Sequence, residues 1–168
     1  MGKVQKAFDN GCPGAITRSV DDIVISVKNA GADDIPFGAP VFMTSDGAVP
    51  FNNSDPQDFA TFLGFAVRVA DKTPDTYPQG QFNDAASQAG TWKPGDVMEV
   101  LVRGGIAVNL ATQGAKGNMV RIRKSDGRLT TSPGAENTTI PLENVRVSMP
   151  RPSDATCAEV IVNTRNLL

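Results

Sequence analysis

Short apolar runs separated by turn-forming residues dominate this chain, and this pattern predicts an all-β protein. Residues 22–28 (DIVISVK) carry Ile23, Ile25 and Val27 at alternating positions, as a strand does, although Val24 makes the other face partly apolar. Residues 61–69 (TFLGFAVRV) are apolar on both faces, which is typical of a strand in the centre of a sheet. A further strand is predicted at 155–163, near the end of the chain.

Glycine-containing turns join several of these predicted strands. Residues 97–102 and 106–110 flank Gly104-Gly105, and because glycine adopts positive φ at no steric cost, this pair predicts a hairpin. Asp46-Gly47 and Asp126-Gly127 follow two other apolar-polar runs and predict tight turns of the same kind. Helix signals are weak by comparison and predict one or two turns at most, after Asp55.

The 168 residues are enough for one domain. We expect an N-terminal arm at 1–20, because this stretch lacks a clear period, followed by a single β-domain at 21–168. The polar, turn-rich stretch 71–95 is predicted to be a long loop, and such loops are usually functional or mobile.

Composition narrows the chemistry that the chain can perform. It has no histidine, which excludes Ser-His and Cys-His relays and histidine-ligated zinc or haem. Two cysteines, Cys12 and Cys157, are too few for a four-thiolate zinc site, and a reducing compartment favours two free thiols. We therefore expect no cofactor and no enzymatic activity. The catalytic options that remain are carboxylate pairs, a Ser/Lys or Thr nucleophile, or carboxylate-bound magnesium. Among them, one hypothesis is a metal-dependent hydrolase that uses Asp33 or Asp34.

The net charge and its distribution along the chain indicate which kinds of partner to expect. The net charge is −2, so no nucleic acid or other polyelectrolyte is implied, and no apolar stretch predicts a membrane span or a signal peptide. The chain is therefore expected to be made in the cytoplasm. Residues 1–95 hold 7 basic and 11 acidic side chains, whereas residues 96–168 hold 9 and 7, a polarity that suits self-association or an oppositely charged partner.

Three groups of side chains are candidates for contacts with a partner. A basic run extends from Lys116 to Arg128, offset only by Asp126. It is either the wet side of a hairpin or a cationic stripe that meets an acidic protein surface or, as a second choice, phosphates. The candidate contact residues in this run are Arg121, Arg123, Lys124 and Arg128. Three aromatic residues lie in the long loop and either anchor a partner or fold back onto the sheet: Tyr77, Phe82 and Trp92. In the arm, the candidates are Phe8, Pro13 and Ile16.

The order of several segments resembles the bacteriophage capsid cement proteins, also called head decoration proteins. The matching segments are PGAI at 13–16, IPFGAPV at 35–41, FLGFAVR at 62–68, KPGDV at 93–97 leading into LVRGGIAV, and the final strand AEVIVN. The likeness covers roughly residues 12–164, although the stretch 71–95 is longer than the family's usual link.

The resemblance implies a barrel- or jelly-roll-like β fold without catalytic residues. It also implies a virion protein on the outer surface of the head, which contacts the major capsid protein and assembles with itself as a homodimer or homotrimer. The expected function is stabilisation of contacts between capsid subunits. The alternative is a tail- or fibre-associated β-domain that binds host glycans through the Trp92 loop.

Overall fold

The computed structural model describes residues 11–17, 21–52, 58–69, 90–135, 137–153 and 156–164. Within these residues the chain forms strands and one short 3₁₀ turn, Phe59–Thr61, and no α-helix. The strands are β1 Ile23–Lys28, β2 Ile35–Pro36, β3 Pro40–Thr44, β4 Gly47–Pro50, β5 Phe62–Ala66, β6 Thr91–Trp92, β7 Val97–Asn109, β8 Met119–Arg123, β9 Leu129–Thr130, β10 Thr139–Met149 and β11 Cys157–Val162.

Nine of these strands form one antiparallel sheet system. Its order is β4-β3-β5-β7-β11-β10-β8-β9, with β1 paired to β7 beside this path, while β2 and β6 form a separate two-stranded ribbon. The prediction of an all-β fold is confirmed. No closed barrel is found among the described strands, so the barrel or jelly-roll description remains a prediction.

Two hydrophobic cores lie on opposite faces of the β3-β5-β7 region. The main core is built around Phe42, Phe62, Phe65, Ile106, Leu142 and Val160. The second core is built around Ile35, Phe37, Val41, Leu63, Trp92 and Met98. Because β5 contributes side chains to both, all five of its residues are buried, as the doubly apolar sequence predicts.

Gly64 lies at the point where the side chains of β5 change their alternation between the two cores. Phe62 and Phe65 face the main core although they are three residues apart, which breaks the simple alternation of a strand. A Cβ at Gly64 would lie 2.1 Å from the carbonyl oxygen of Leu101, so the backbones of β5 and β7 approach too closely there for any side chain.

The predicted hairpin at Gly104-Gly105 is wrong, because β7 runs through this pair as one strand of 13 residues. The chain does not reverse at the glycines. Instead, the alternation of the side chains shifts there by one residue, which we call a change of phase. Before them, Leu101 faces the main core, whereas after them Ile106 and Val108 do. Gly104 has φ +119, and its missing Cβ leaves room for Asp22, whose Oδ1 accepts a hydrogen bond of 3.3 Å from the amide of Gly105.

The strands that pair with β7 also change at Gly104, a position that we call the Gly104 bend. β1 pairs with β7 from Val97 to Arg103, and β11 pairs with it from Gly104 to Asn109. Residues 14–17 also hydrogen-bond to the second half, through both the N–H and the carbonyl of Ala107 and the carbonyl of Gly105. This part of the predicted arm is therefore tied to the domain, while residues 1–10 and 18–20 lie outside the described residues.

The other local predictions fare well where they can be compared. The turn before Gly47 joins β3 to β4, and the turn at Asp126-Gly127 joins β8 to β9. The predicted strands near 22–28 and 155–163 appear as β1 and β11. The helix signal after Asp55 corresponds to the 3₁₀ turn alone. Most of the predicted loop 71–95 lies outside the described residues, but its last part forms β6 and pairs with β2.

Asn29 is a fully buried polar residue at the junction of several strands. Its Nδ2 donates to the carbonyls of Asp33 and Trp92 at 3.1 and 3.2 Å, and its Oδ1 accepts from the amide of Gly31 at 3.0 Å. Its backbone also bonds to Asp96 and Gly95. A buried amide with every group paired is compatible with a stable core, and it fixes β6 against the end of β1.

Gly104→Ala is expected to destabilise the protein more than Gly95→Ala does. Both glycines have positive φ, so both variants carry backbone strain of about 1–3 kcal/mol. At Gly95 a Cβ meets nothing within 4 Å, whereas at Gly104 it would lie 2.0 Å from Asp22 Oδ1. Thermal and urea unfolding of the two variants measure the difference, and equal losses would contradict the role given to Asp22 at the bend.

Asn29→Ala is expected to lower the free energy of unfolding by at least about 2 kcal/mol, because it leaves buried carbonyls and an amide unpaired. For a domain of this size that corresponds to a fall in Tm of about 4–8 °C. Asn118→Ala is the matched control, since Asn118 is exposed, and it should change stability by less than about 0.5 kcal/mol. A similar small effect of both substitutions would show that the Asn29 network is unimportant for stability.

Candidate contact surface

The basic hairpin, defined as Met119 to Thr130, carries four cations and one carboxylate. On β8, Val120 and Ile122 are fully buried in the main core, and Arg121 and Arg123 point to the other side, as the alternation predicts. Lys124 is half-buried and Arg128 is exposed. The structure therefore gathers the four cations of the predicted stripe on one hairpin.

Asp126 divides these cations into two kinds. Arg123 binds the Asp126 carboxylate through both Nε, at 2.8 Å, and Nη2, and the Arg128 Nε lies 3.7 Å from the same carboxylate. The hydrogen bond from Arg123 lowers the pKa of Asp126 and raises the pKa of Arg123. Arg123 is therefore engaged within the turn, where it holds the hairpin in shape.

Arg121 and Lys124 are the cations of the hairpin that remain available. Among the described residues, no carboxylate lies within ion-pair distance of either side chain. The backbone amide of Lys124 bonds to the carbonyl of Thr138, which fixes the base of its side chain beside the 137–139 turn. These two cations can therefore meet an acidic group of a partner without first breaking an ion pair in the described structure.

Arg146 joins the same face of the sheet and was not among the predicted candidates. It lies opposite Met119 on β8 and opposite Ile161 on β11, and it is half-buried. The alternation of NVRVSM at 144–149 is the sequence signal that could have placed it on an outward position of a strand.

The predicted contacts of the arm are divided between the interior and the surface. Pro13 is buried, whereas Ile16 is 39% exposed and forms a bridge to Ile106 on β7. Two further exposed apolar residues, Ile23 and Val24, begin β1 beside the Gly104 bend. Phe8 lies outside the described residues, so its predicted contact stays a prediction.

Trp92 is a core residue, and its interpretation as an exposed anchor is wrong. Its side chain belongs to the second core and is 4% exposed, its Nε1 donates to the carbonyl of Val67 at 3.0 Å, and its ring packs edge-on against Phe37. The alternative that it folds back onto the sheet describes it correctly. A buried indole cannot stack on a sugar, so the glycan-binding hypothesis loses the residue on which it depended. Tyr77 and Phe82 lie outside the described residues.

The aspartates proposed for metal chemistry are used in local structure. Asp34 accepts hydrogen bonds from Lys93 Nζ and, at 3.3 Å, from the hydroxyl of Thr91, which connects the ends of β2 and β6. Asp33 contributes its carbonyl to Asn29. In the described part of the chain, no three Cys, Asp or Glu side chains are grouped so that they could hold a metal ion. No helix there is long and apolar enough to cross a membrane.

The fold is all-β in the described residues, and one hairpin of its surface carries four cations. A family model described as "Structural cement protein (E217 gp24/Pam3 gp6)" matches residues 2–163, nearly the whole chain. The chain therefore belongs to this family of phage structural cement proteins, and the resemblance read from the sequence is confirmed. Such a family is structural and is not normally enzymatic. No curated protein matches the chain significantly.

A solved structure supports the same fold. The chain is similar to a protein chain in "The capsid of Myoviridae Phage XM1", with a TM-score of 0.69 and 17% sequence identity. The match covers 96% of each chain. At this level of identity the likeness concerns the fold, and it extends over essentially the whole length of both proteins.

Arg123→Gln is expected to raise the pKa of Asp126 toward its ordinary value, because the hydrogen bond from Arg123 is the main cause of its lowering. Since this pKa is lowered, the ion pair is intact above the usual carboxyl range and is lost as the pH falls through the native value. An NMR titration of the Asp126 carboxyl carbon measures it. Arg121→Gln is the control and should leave the titration unchanged; a wild-type Asp126 that titrates at its ordinary pKa would contradict the account.

Proposed function

We propose that this protein binds the outer surface of a phage head and stabilises contacts between neighbouring major capsid protein subunits. The match to the cement protein family over residues 2–163 carries this proposal. The similarity of the whole fold to a chain of a phage capsid supports it.

The structure has the physical properties that such a protein needs. Two buried cores on either side of β5 and β7 make a rigid body, so little conformational entropy is lost when it docks. Its charges are also separated along the chain. Among the described residues, 21–95 carry 3 basic and 6 acidic side chains, whereas 96–164 carry 8 and 5. The sheet order places β3 to β5 on one side of β7 and β8 to β11 on the other, so the two stretches lie largely in different parts of the sheet. Such a distribution of charge favours one docking orientation on a complementary surface.

We assign the contact surfaces to the basic hairpin and to the exposed apolar residues around the Gly104 bend. Arg121 and Lys124 supply available positive charge, and Ile16 supplies exposed apolar area. The separated charges also support assembly with further copies of the chain, as a homodimer or homotrimer. Each contact can be weak, because many copies on a repeating shell act together.

The test compares heads that lack this protein with the same heads after addition of the purified chain. Added chain should sediment with the heads and raise the temperature at which they open, since a ligand that binds the intact shell stabilises it. DNA release monitored during heating measures the opening. Chain that binds heads without changing the opening temperature would contradict the stabilising role, and failure to bind would contradict the proposal as a whole.

A further inference from the structure

Strand β1 has an edge that the described strands cover only in part. On one side β1 pairs with β7 along its whole length. On the other side β4 reaches only the end of β1, where Asn29 bridges Ala48 and the amide of Ala30 donates to the carbonyl of Ala48 at 2.8 Å. We call the remaining stretch of this side, residues 24–26, the open edge.

The backbone groups of the open edge point away from β7. The amide of Asn29 donates at 2.8 Å to the carbonyl of the residue just before β7, so Asn29 faces the β7 side. In an antiparallel ladder successive residues turn their N–H and C=O groups to opposite sides, so Lys28, Ser26 and Val24 face outward. The Lys28 carbonyl agrees with this, because a Cβ on Gly47 of β4 would lie 2.7 Å from its oxygen. Val24 and Ser26 therefore present N–H and C=O groups to a further strand.

The ends of the described sheet are protected, whereas the open edge is not. β4 is bridged to Asn29, and β9, at the opposite end of the strand order, is bridged to Leu110. Exposed edge strands usually carry proline or charged side chains, which prevent pairing with another chain. Residues 24–26 carry neither, and Ile23 and Val24 are 38% and 37% exposed. Such an edge favours the addition of a strand from another molecule.

The charges that flank the open edge favour a second copy of the chain as its partner. Asp22 precedes the edge and Lys28 follows it, and no carboxylate of the described residues pairs with Lys28. Antiparallel pairing centred on Ile25 sets Val24 of one copy opposite Ser26 of the other, and Asp22 opposite Lys28. In this orientation β1 is complementary to itself in hydrogen bonds and in charge.

The neighbouring turn leaves room for such a partner. The open edge ends where Lys28 meets Gly47. The register of β1 shifts between Ile23 and Val24, and an irregularity of this kind bends a strand. In the partner, this bend falls at the residues that would otherwise reach the turn before β4. The two strands therefore overlap along the open edge and separate beyond it.

We propose that two copies of this chain join by antiparallel pairing of their β1 strands, centred on Ile25. The pairing has two-fold symmetry, so the assembly is a homodimer and not a homotrimer. Each of the two Val24–Ser26 pairs exchanges two backbone hydrogen bonds. This inference rests on the self-assembly included in the proposed function and identifies the strand that carries it. Because the open edge is short, the dimer dissociates on dilution.

Sedimentation velocity of the purified full chain over a range of concentrations tests the inference. The wild type should change from the 17.7 kDa of one chain to twice this mass as its concentration rises. Ser26→Pro removes an outward N–H at an edge position that accepts proline in the monomer, and it should raise the Kd of the dimer about tenfold or more. Ser26→Ala is the matched control, because it keeps the N–H, and it should dimerise as the wild type does.

Two further measurements make the test independent of how well the proline variant folds. Val24→Lys places a positive charge near Lys28 of the second copy and should also weaken the dimer, whereas Met149→Lys, at a residue of β10 that is 43% exposed, should not. In the wild type, the amides of Val24 and Ser26 should exchange hydrogen more slowly at high protein concentration than at low concentration. Unchanged Tm values of the lysine variants in dilute solution show that they are folded.

Three results would overturn the inference: a wild type that stays monomeric at every concentration, a trimer, and equal dimerisation of Ser26→Pro and Ser26→Ala. The binding of phage heads is measured separately. If the dimer is absent but the chain binds heads and raises their opening temperature, the assignment of β1 fails while the proposed function stands. If the wild type dimerises through β1 but does not bind heads, the proposed function fails and the dimer remains.

Discussion

The structure depends on the change of phase in β7 at Gly104. A regular strand of 13 residues would keep each side chain on its original face, and it could not direct Leu101 and then Ile106 and Val108 into the same core. The positive φ of Gly104 makes this shift, and Asp22 fills the space that a side chain would occupy. β1, β5, β11 and residues 14–17 all bond to β7, so the two halves of this strand organise the elements around both cores.

Ion pairing then determines which charged residues fix local geometry and which remain available to a partner. Asp126 binds Arg123 within a tight turn, and Asp21 pairs with Arg103 at 3.1 Å near the Gly104 bend. These pairs are exposed, so they contribute little to overall stability, but they fix local geometry. Lys124 and Arg121 have no such partner among the described residues. The four cations of the basic hairpin therefore have different roles. Arg123 and Arg128 pair with Asp126, whereas Arg121 and Lys124 remain available for binding.

Local sequence patterns predicted those elements correctly whose structure depends only on neighbouring residues, such as single strands and tight turns. The alternation at 22–28 and the Asp-Gly turns are short-range signals, and the structure reproduces them. Gly104-Gly105 misled because positive φ serves a tight turn and a strand irregularity equally well, and long-range pairing with β1 and β11 selects the second. Trp92 misled for a similar reason, since a polar neighbourhood in sequence does not show that the indole reaches the carbonyl of Val67. The cleft beside the basic hairpin brings together residues between 112 and 139 that no local motif connects.

The central claim is that this protein joins capsid subunits from outside the shell, and cryo-electron microscopy of heads that carry it tests this most directly. The account predicts β-sheet density of this fold on the outer surface, bridging at least two major capsid protein subunits, with the basic hairpin toward the shell. Density on the inner surface, or above the centre of a single subunit without a contact to its neighbour, would contradict it.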